Sequence, residues 1–175
     1  MNTLFPIVTF DLIDNEEADA RLVQWGHYLG ACNRPFGRQS FGLRVYGELV
    51  SVAVSASTPN KKCATFARQE VVELARLCTQ PERNDLTLVC LRLWRQVAAE
   101  TWLDADFKGW ESIRAYVAYQ NAVRHSGEIY KHDRWRFAKA VPGGRSGPNA
   151  TWTRNREYDP KNIWVYDLPR PTVPG

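Results

Sequence analysis

The segment that most limits how this chain can fold is "DLTLVCLRLWRQVAAETW", which begins at Asp85. Leu86, Val89, Leu93, Val97 and Ala98 recur at helical spacing, so the segment reads as an amphipathic helix with one apolar stripe. That stripe has to be covered, and its neighbours suit a sheet. "EVVELARLC" (Glu70 to Cys78) comes before it and is apolar enough for a buried strand, with helix the competing reading by composition. "SIRAYVAY" (Ser112 to Tyr119) comes after it and alternates as a strand does. Pro81 punctuates the first connection, and Asn84 and Asp85 suit a helix cap. Strand, turn, long helix and second strand therefore form the predicted centre of the fold.

The flanking segments add to that centre. Leu4 to Ile13 reads as a strand. Asp14 or Asn15 caps a helix with Glu16 and Glu17 in its first turn. Ala18, Leu22, Trp25 and Leu29 carry that helix on, and Gly30 ends it. Ser40 to Ser57 reads as a hairpin turning near Tyr46–Gly47–Glu48. "SGEIYKHDRW" suits a short helix, and Trp135 to Val141 and Lys161 to Leu168 suit strands, with the Gly- and Pro-rich "PGGRSGPN" loop between them. The order β-α-β-β-β-α-β-α-β-β describes a mixed sheet with a few helices, an α/β (α+β) domain over residues 1–168 with a Pro-rich tail at 169–175. A hydrophobic share of 44% against 24% charged residues excludes general disorder.

The formal charge of +4 is compatible with a polyanionic partner. Cys32, Cys63, Cys78 and Cys90 form no CxxC pair, which argues against a cysteine zinc site, and Cys63, Cys78 and Cys90 read as small hydrophobes. The start lacks a basic leader, and no apolar run approaches the ~20 residues that span a bilayer. The expectation is a cytoplasmic protein with reduced thiols and no membrane partner.

Several residues invite chemistry. His27, in "WGHYLG", reads either as a helix-end histidine or as an active-site base or ligand. Glu73 lies inside an apolar strand and needs a partner there. Arg76, three residues on, faces the other side of a regular strand, so the partner is a histidine, a metal, a substrate amine or a neighbouring loop. His125 and His132 flank a helix start in "VAYQNAVRHSGEIYKHDRW". Arg134, Arg136, Lys139, Arg145, Arg154 and Arg156 interleave with Trp135, Phe137 and Trp152. That pattern suits phosphate contact with base stacking, or a solvated sheet face.

The element order resembles the GNAT acetyltransferase fold, in which a central strand leads through a phosphate-binding turn into a long helix and the next strand splays away. "EVVELARLC", "TQPERN", the long helix and "SIRAYVAY" match those parts in order. The resemblance implies a mostly antiparallel sheet with splayed strands, flanked by helices. "QWGHYLG", "ELARLC" and "HSGEIYKHDRW" are similar to blocks of the phage Mom-type branch: H-Y-L, E-L-x-R-L and H-x-G-x-I-Y-x-x-x-x-W. This match runs from Trp25 to Trp135.

The branch resemblance implies transfer of a carbamoylmethyl-type group to the exocyclic amine of adenine in double-stranded DNA, in the cytoplasm of a bacterial host. It implies a small donor, acetyl-CoA or a related compound. Glu73 or His27 would take the proton of the amine, Tyr130 would protonate the leaving group, and His125 would stand beside them. His27, Glu73 and His125 are the set inside the matched blocks that could bind iron as a facial triad. Leu77, Cys78, Arg83, Asn84 and Thr87 would face the donor. Tyr46, Arg134, Trp135, Arg136 and Arg145 would meet the DNA, with Tyr46, Tyr116 and Trp135 as walls for a flipped adenine.

Two departures stand out. "QPERNDLT" (Gln80 to Thr87) has no glycine and carries Glu82 and Asp85, whose charges repel phosphate. Gln120 stands where the branch tends to have an acid. The alternatives are an acyl-CoA-dependent N-acyltransferase acting on a protein or small amine, and a non-catalytic nucleic-acid-binding or anti-defence protein.

Overall fold

A computed structural model describes residues 7–145 and 157–169. Strand β1 (Val8–Ile13) leads into helix α1 (Asn15–Gln24) and the hairpin β2 (Arg38–Val45) and β3 (Glu48–Ala56). A small ribbon, β4 (Lys62–Cys63) with β5 (Phe66–Ala67), comes before the central strand β6 (Val71–Thr79). Helix α2 (Thr87–Asp104), β7 (Ala115–Asn121), the short α3 (Glu128–His132) and β8 (Arg136–Val141) follow. A second ribbon, β9 (Gly144–Arg145) with β10 (Glu157–Tyr158), comes before β11 (Lys161–Asp167).

Seven strands form one sheet in the order β1-β2-β3-β6-β7-β11-β8. Among the described residues only the β6–β7 pair is parallel. The main elements follow the predicted order, and 71–79 is strand rather than the competing helix. β3 pairs along most of these Val- and Leu-rich residues and β7 along the first three, so the strand runs through the middle of the sheet and is largely buried.

Three local features differ from expectation or extend it. Helix α1 stops at Gln24, because Gly26 just past its end adopts a left-handed φ of 71°, so His27 and Leu29 lie in a loop beyond it rather than in a helix running to Gly30. The buried face of α2 is Cys90, Leu91, Trp94, Ala98 and Trp102, whereas Val89 is exposed. The aliphatic stripe was a poor guide there because indoles fill the core, and the ring N–H of Trp94 finds Ser55 Oγ at 2.8 Å. The β2–β3 turn falls where expected, with both Tyr46 and Gly47 left-handed (φ 51° and 84°), as a two-residue hairpin turn requires.

The seam between β6 and β7 sets up everything that follows. It holds for three residue pairs, Val71–Ala115, Val72–Tyr116 and Glu73–Val117, and then the strands part. On its far edge β7 stays paired with β11 over all seven of its residues. On the β3 side, Val54 opposes Arg76 and Ser55 opposes Leu74, which leaves Ala75 as an extra residue, a bulge. The bulge breaks the two-residue alternation, so Glu73 and Arg76 reach the same side of β6. The expectation that they face apart assumed a regular strand.

Candidate active site

Two adjoining cavities open where β6 and β7 diverge, and Tyr28, Leu29, Ala75, Arg76 and Tyr119 line both. The first, about 310 Å³, contains Glu73, Arg34, Cys63, Lys139 and Lys161. The second, about 430 Å³, contains His27, Leu77, Thr87, Gln120, His125 and Tyr130. The three short sequence blocks singled out above thus meet at one opening, although their side chains divide between two lobes.

Glu73 is 2% exposed. Its Oε1 accepts a hydrogen bond from Arg34 at 2.7 Å, and its Oε2 has no partner. Burial pushes the carboxyl up to about 7, against the guanidinium groups of Arg34 and Arg76 and the ammonium of Lys161, which pull it down. Arg34, from the loop before β2, is therefore the partner that the strand pattern left open. Arg76 instead donates to the carbonyls of Gly30, Ala31 and Ala75. It pins the loop that carries His27 and Tyr28 onto β6.

His27 is held neutral, pushed down to about 4 by burial and then by the charges of Arg76 and His125. Its Nδ1 accepts the Leu29 N–H at 3.3 Å, which places the ring proton on Nε2. With its free lone pair occupied, His27 offers the lobe a donor rather than a base. Tyr130 is pushed well above its ordinary range by burial and then by the charges of Tyr28 and Glu73, so it keeps its proton at neutral pH. Its ring stacks on Trp164 (5.6 Å) and meets the edge of Trp135 (5.3 Å). Buried Asp133 clamps the end of α3 to α2 through Arg92 and Arg95. The phenol is thus fixed by packing.

Gln120 has a definite task. Its Oε1 accepts from the Trp164 ring at 2.8 Å and from Asn162 at 3.2 Å, while its amide donates to the His125 carbonyl. A carboxylate at this position has no proton to give that carbonyl. The Gln120 amide therefore braces the loop leading to Tyr130.

Other predicted residues are not brought in. Among the described residues no three His, Cys, Asp or Glu side chains stand close enough to hold a metal, so the His27–Glu73–His125 triad is not assembled. The carboxylate lines the first lobe and the two histidines line the second. Leu77 and Thr87 do face the second lobe, but Cys78 packs toward the α1 core, and Arg83 and Asn84 line neither lobe. Trp135 and Tyr116, at 4% and 1% exposed, are core residues and cannot stack a base. Tyr46 is 68% exposed at the hairpin tip, outside both lobes. Arg136 is paired with Asp167. Arg134 is exposed after α3, with a left-handed φ of 64°. The side chain of Arg145, and all of Trp152, Arg154 and Arg156, lie outside the described residues. Sequence reasoning missed Tyr28, Arg34 and Tyr119. Tyr28 sat in plain view inside the H-Y-L block.

No protein-family model matches the chain, and no curated protein sequence matches it. Solved structures do. A probable acetyltransferase from Staphylococcus epidermidis superposes with a TM-score of 0.58 at 12% identity, over 93% of this chain and 100% of that one. Aminoglycoside 6'-acetyltransferase type Ii gives 0.57 at 14% identity, over 93% and 99%. An acetyltransferase of the GNAT family from Streptococcus pneumoniae gives 0.55 at 7% identity, over 93% and 100%. The fold is that of the GNAT acetyltransferases. At these identities the likeness is one of fold.

That fold implies acetyl-CoA, and this chain does not offer the turn its pyrophosphate needs. Residues Pro81–Leu86 form two short 3-10 turns kinked at Arg83 (φ −123°, ψ 32°), the second running directly into α2. The Thr87 N–H is spent on the Asn84 carbonyl, and its hydroxyl on that carbonyl and on Thr79 Oγ1. No glycine lies between Gly47 and Gly109, and Glu82 and Asp85 sit on the turn. The open edge of β6 at Leu74–Leu77 remains available to a short extended donor arm.

Proposed function

We propose that this chain transfers a small acyl-type group from an activated donor to an amine. The donor lies along the open edge of β6 in the Tyr130 lobe, and the amine enters the Glu73 lobe. The observation that carries this reading is the pair of protonation states on either side of one opening: a buried carboxyl near 7 with one free oxygen, and a tyrosine that keeps its proton. Glu73 takes a proton from the amine as its nitrogen bonds to the acyl carbon. Tyr130 gives its proton to the leaving group as the carbon–leaving-group bond breaks. Glu73 then returns a proton to the phenol through solvent. A base poised near the working pH is the efficient kind.

The finer reading makes the amine that of adenine in DNA, with a carbamoylmethyl-type group transferred. It is supported by the placement of the H-Y-L, E-L-x-R-L and H-x-G-x-I-Y blocks, all of which border the opening.

Two measurements test these readings. The full chain is incubated with a compact thioester, S-acetyl-N-acetylcysteamine, and a panel of amines, and free thiol is followed. Amine-dependent release that falls about tenfold or more in Tyr130→Phe is expected, and release independent of amine in the native chain overturns transfer. DNA from cells expressing the chain is digested to nucleosides. An adenosine of raised mass supports the DNA reading, and unmodified nucleosides from cells holding soluble protein remove it.

A further inference from the structure

The Glu73 lobe has a charge pattern that the transfer reaction alone does not call for. Five cationic side chains line it, Arg34, Lys62, Arg76, Lys139 and Lys161, against the two carboxylates Glu73 and Asp159. Arg34 is spent on Glu73, and Asp159 is answered by Asn121 at 2.8 Å and Arg124 at 3.9 Å. Lys62, Lys139 and Lys161 form no ion pair with any described residue. Arg76 meets only backbone carbonyls. The lobe therefore carries net positive charge around one buried, half-partnered carboxylate.

A simple alkylammonium would enter such a lobe against the field, because a concave site lined by one sign concentrates its potential. Among the described residues the only carboxylates there to hold it are Glu73, through Oε2, and the half-exposed Asp159, already engaged by Asn121 and Arg124. A molecule that also carries an anion reverses the balance. Its anion meets the lysines, its nitrogen meets Glu73 Oε2, and the surrounding cations favour the neutral, nucleophilic form of the amine.

We infer that the acceptor is an amine bearing its own phosphate or carboxylate, with the amine at Glu73 and the anion held by Lys62, Lys139 and Lys161. Calling this ligand the acceptor rests on the transfer reading above; the binding chemistry does not. The anion comes from a phosphomonoester, a carboxylate or a nucleotide, and matched probes separate them.

The full chain is titrated calorimetrically with phosphoethanolamine against ethanolamine, β-alanine against propylamine, and deoxyadenosine monophosphate against deoxyadenosine. In at least one pair the anionic member binds about tenfold tighter or more, as a charge-assisted contact supplies. The pair that responds names the anion. Lys139→Met and Lys161→Met each shrink the gap, circular dichroism confirms that both variants are folded, and about 0.5 M salt narrows it further. Equal binding within all three pairs overturns the inference, as does a preference that survives in both lysine variants. Thiol release is scored on the same samples. Anion-dependent binding without transfer leaves the ligand site standing and removes the enzyme reading, whereas transfer to neutral amines without anion preference does the reverse.

Discussion

The two lobes share a wall and differ in how their polar groups are satisfied. In the Tyr130 lobe several polar side chains are answered by neighbours, while the Tyr130 phenol and His27 Nε2 keep their protons for the cavity. His27 Nδ1 takes a backbone N–H, Gln120 is saturated, and Thr87 is tied into its own turn. In the Glu73 lobe a carboxylate oxygen is left bare and three lysines stand without an ion-pair partner among the described residues. The braced loop fixes the Tyr130 phenol as a donor, whereas the Glu73 lobe presents a half-partnered carboxylate among these lysines.

The largest effect that would break this contrast is on turnover. Glu73→Gln keeps the size of the side chain and removes the base, so kcat should fall about 10²–10³-fold and the pH–rate limb near neutrality should disappear. A variant with its pH profile intact would move the proton transfer elsewhere.

The lobes should also pull stability in opposite directions with pH. Glu73 is raised from 4.5 to about 7, so the folded state binds its proton more tightly and this contribution to stability is lost as pH rises through that window. His27 is lowered from 6.5 to about 4, so the folded state resists its proton and stability is gained as pH rises from about 4 to 6.5. Each slope is worth on the order of 3 kcal/mol, and in the native chain they largely cancel. Chemical denaturation across this range should show Glu73→Gln gaining stability with pH and His27→Gln losing it. Parallel profiles for the two variants would mean that the lobes are not electrostatically distinct.

A smaller effect tests the bracing of the Tyr130 lobe. Gly127 has φ of 76°, and a Cβ there would stand 2.7 Å from Gln120 Oε1 and 2.8 Å from the Trp164 ring. Gly127→Ala should cost about 1–3 kcal/mol in urea unfolding and lower activity more than it lowers probe binding in the Glu73 lobe. Equal losses in both would make the lobes one mechanical unit. Least of all, Tyr46→Asn places a turn-favoured residue at the left-handed tip. It should add about 0.5 kcal/mol and leave thiol release unchanged, since Tyr46 touches neither lobe.

How much of this was legible in the sequence varied with distance along the chain. Element type and order followed from local periodicity and turn residues: the Tyr46–Gly47 hairpin, the long helix and the strands beside it were each written into a few neighbouring residues. The blocks around His27, Glu73 and Tyr130 were picked out by a resemblance rather than by local pattern, and they border the opening between β6 and β7. Burial on α2 was read less well, since a stripe of aliphatics does not reveal that Trp94 and Trp102 face inward.

What only the tertiary structure decided was which side each group faces and what answers it. One extra residue at Ala75 turned Arg76 to the side of Glu73, and a loop 39 positions away brought Arg34 to its carboxylate. Three residue pairs and no more joined β6 to β7, and the opening between them made two lobes where the sequence offered a single cluster. Side-chain direction depends on register, and register is settled by pairing between strands far apart in sequence, so a local pattern names the residues of a site without arranging them.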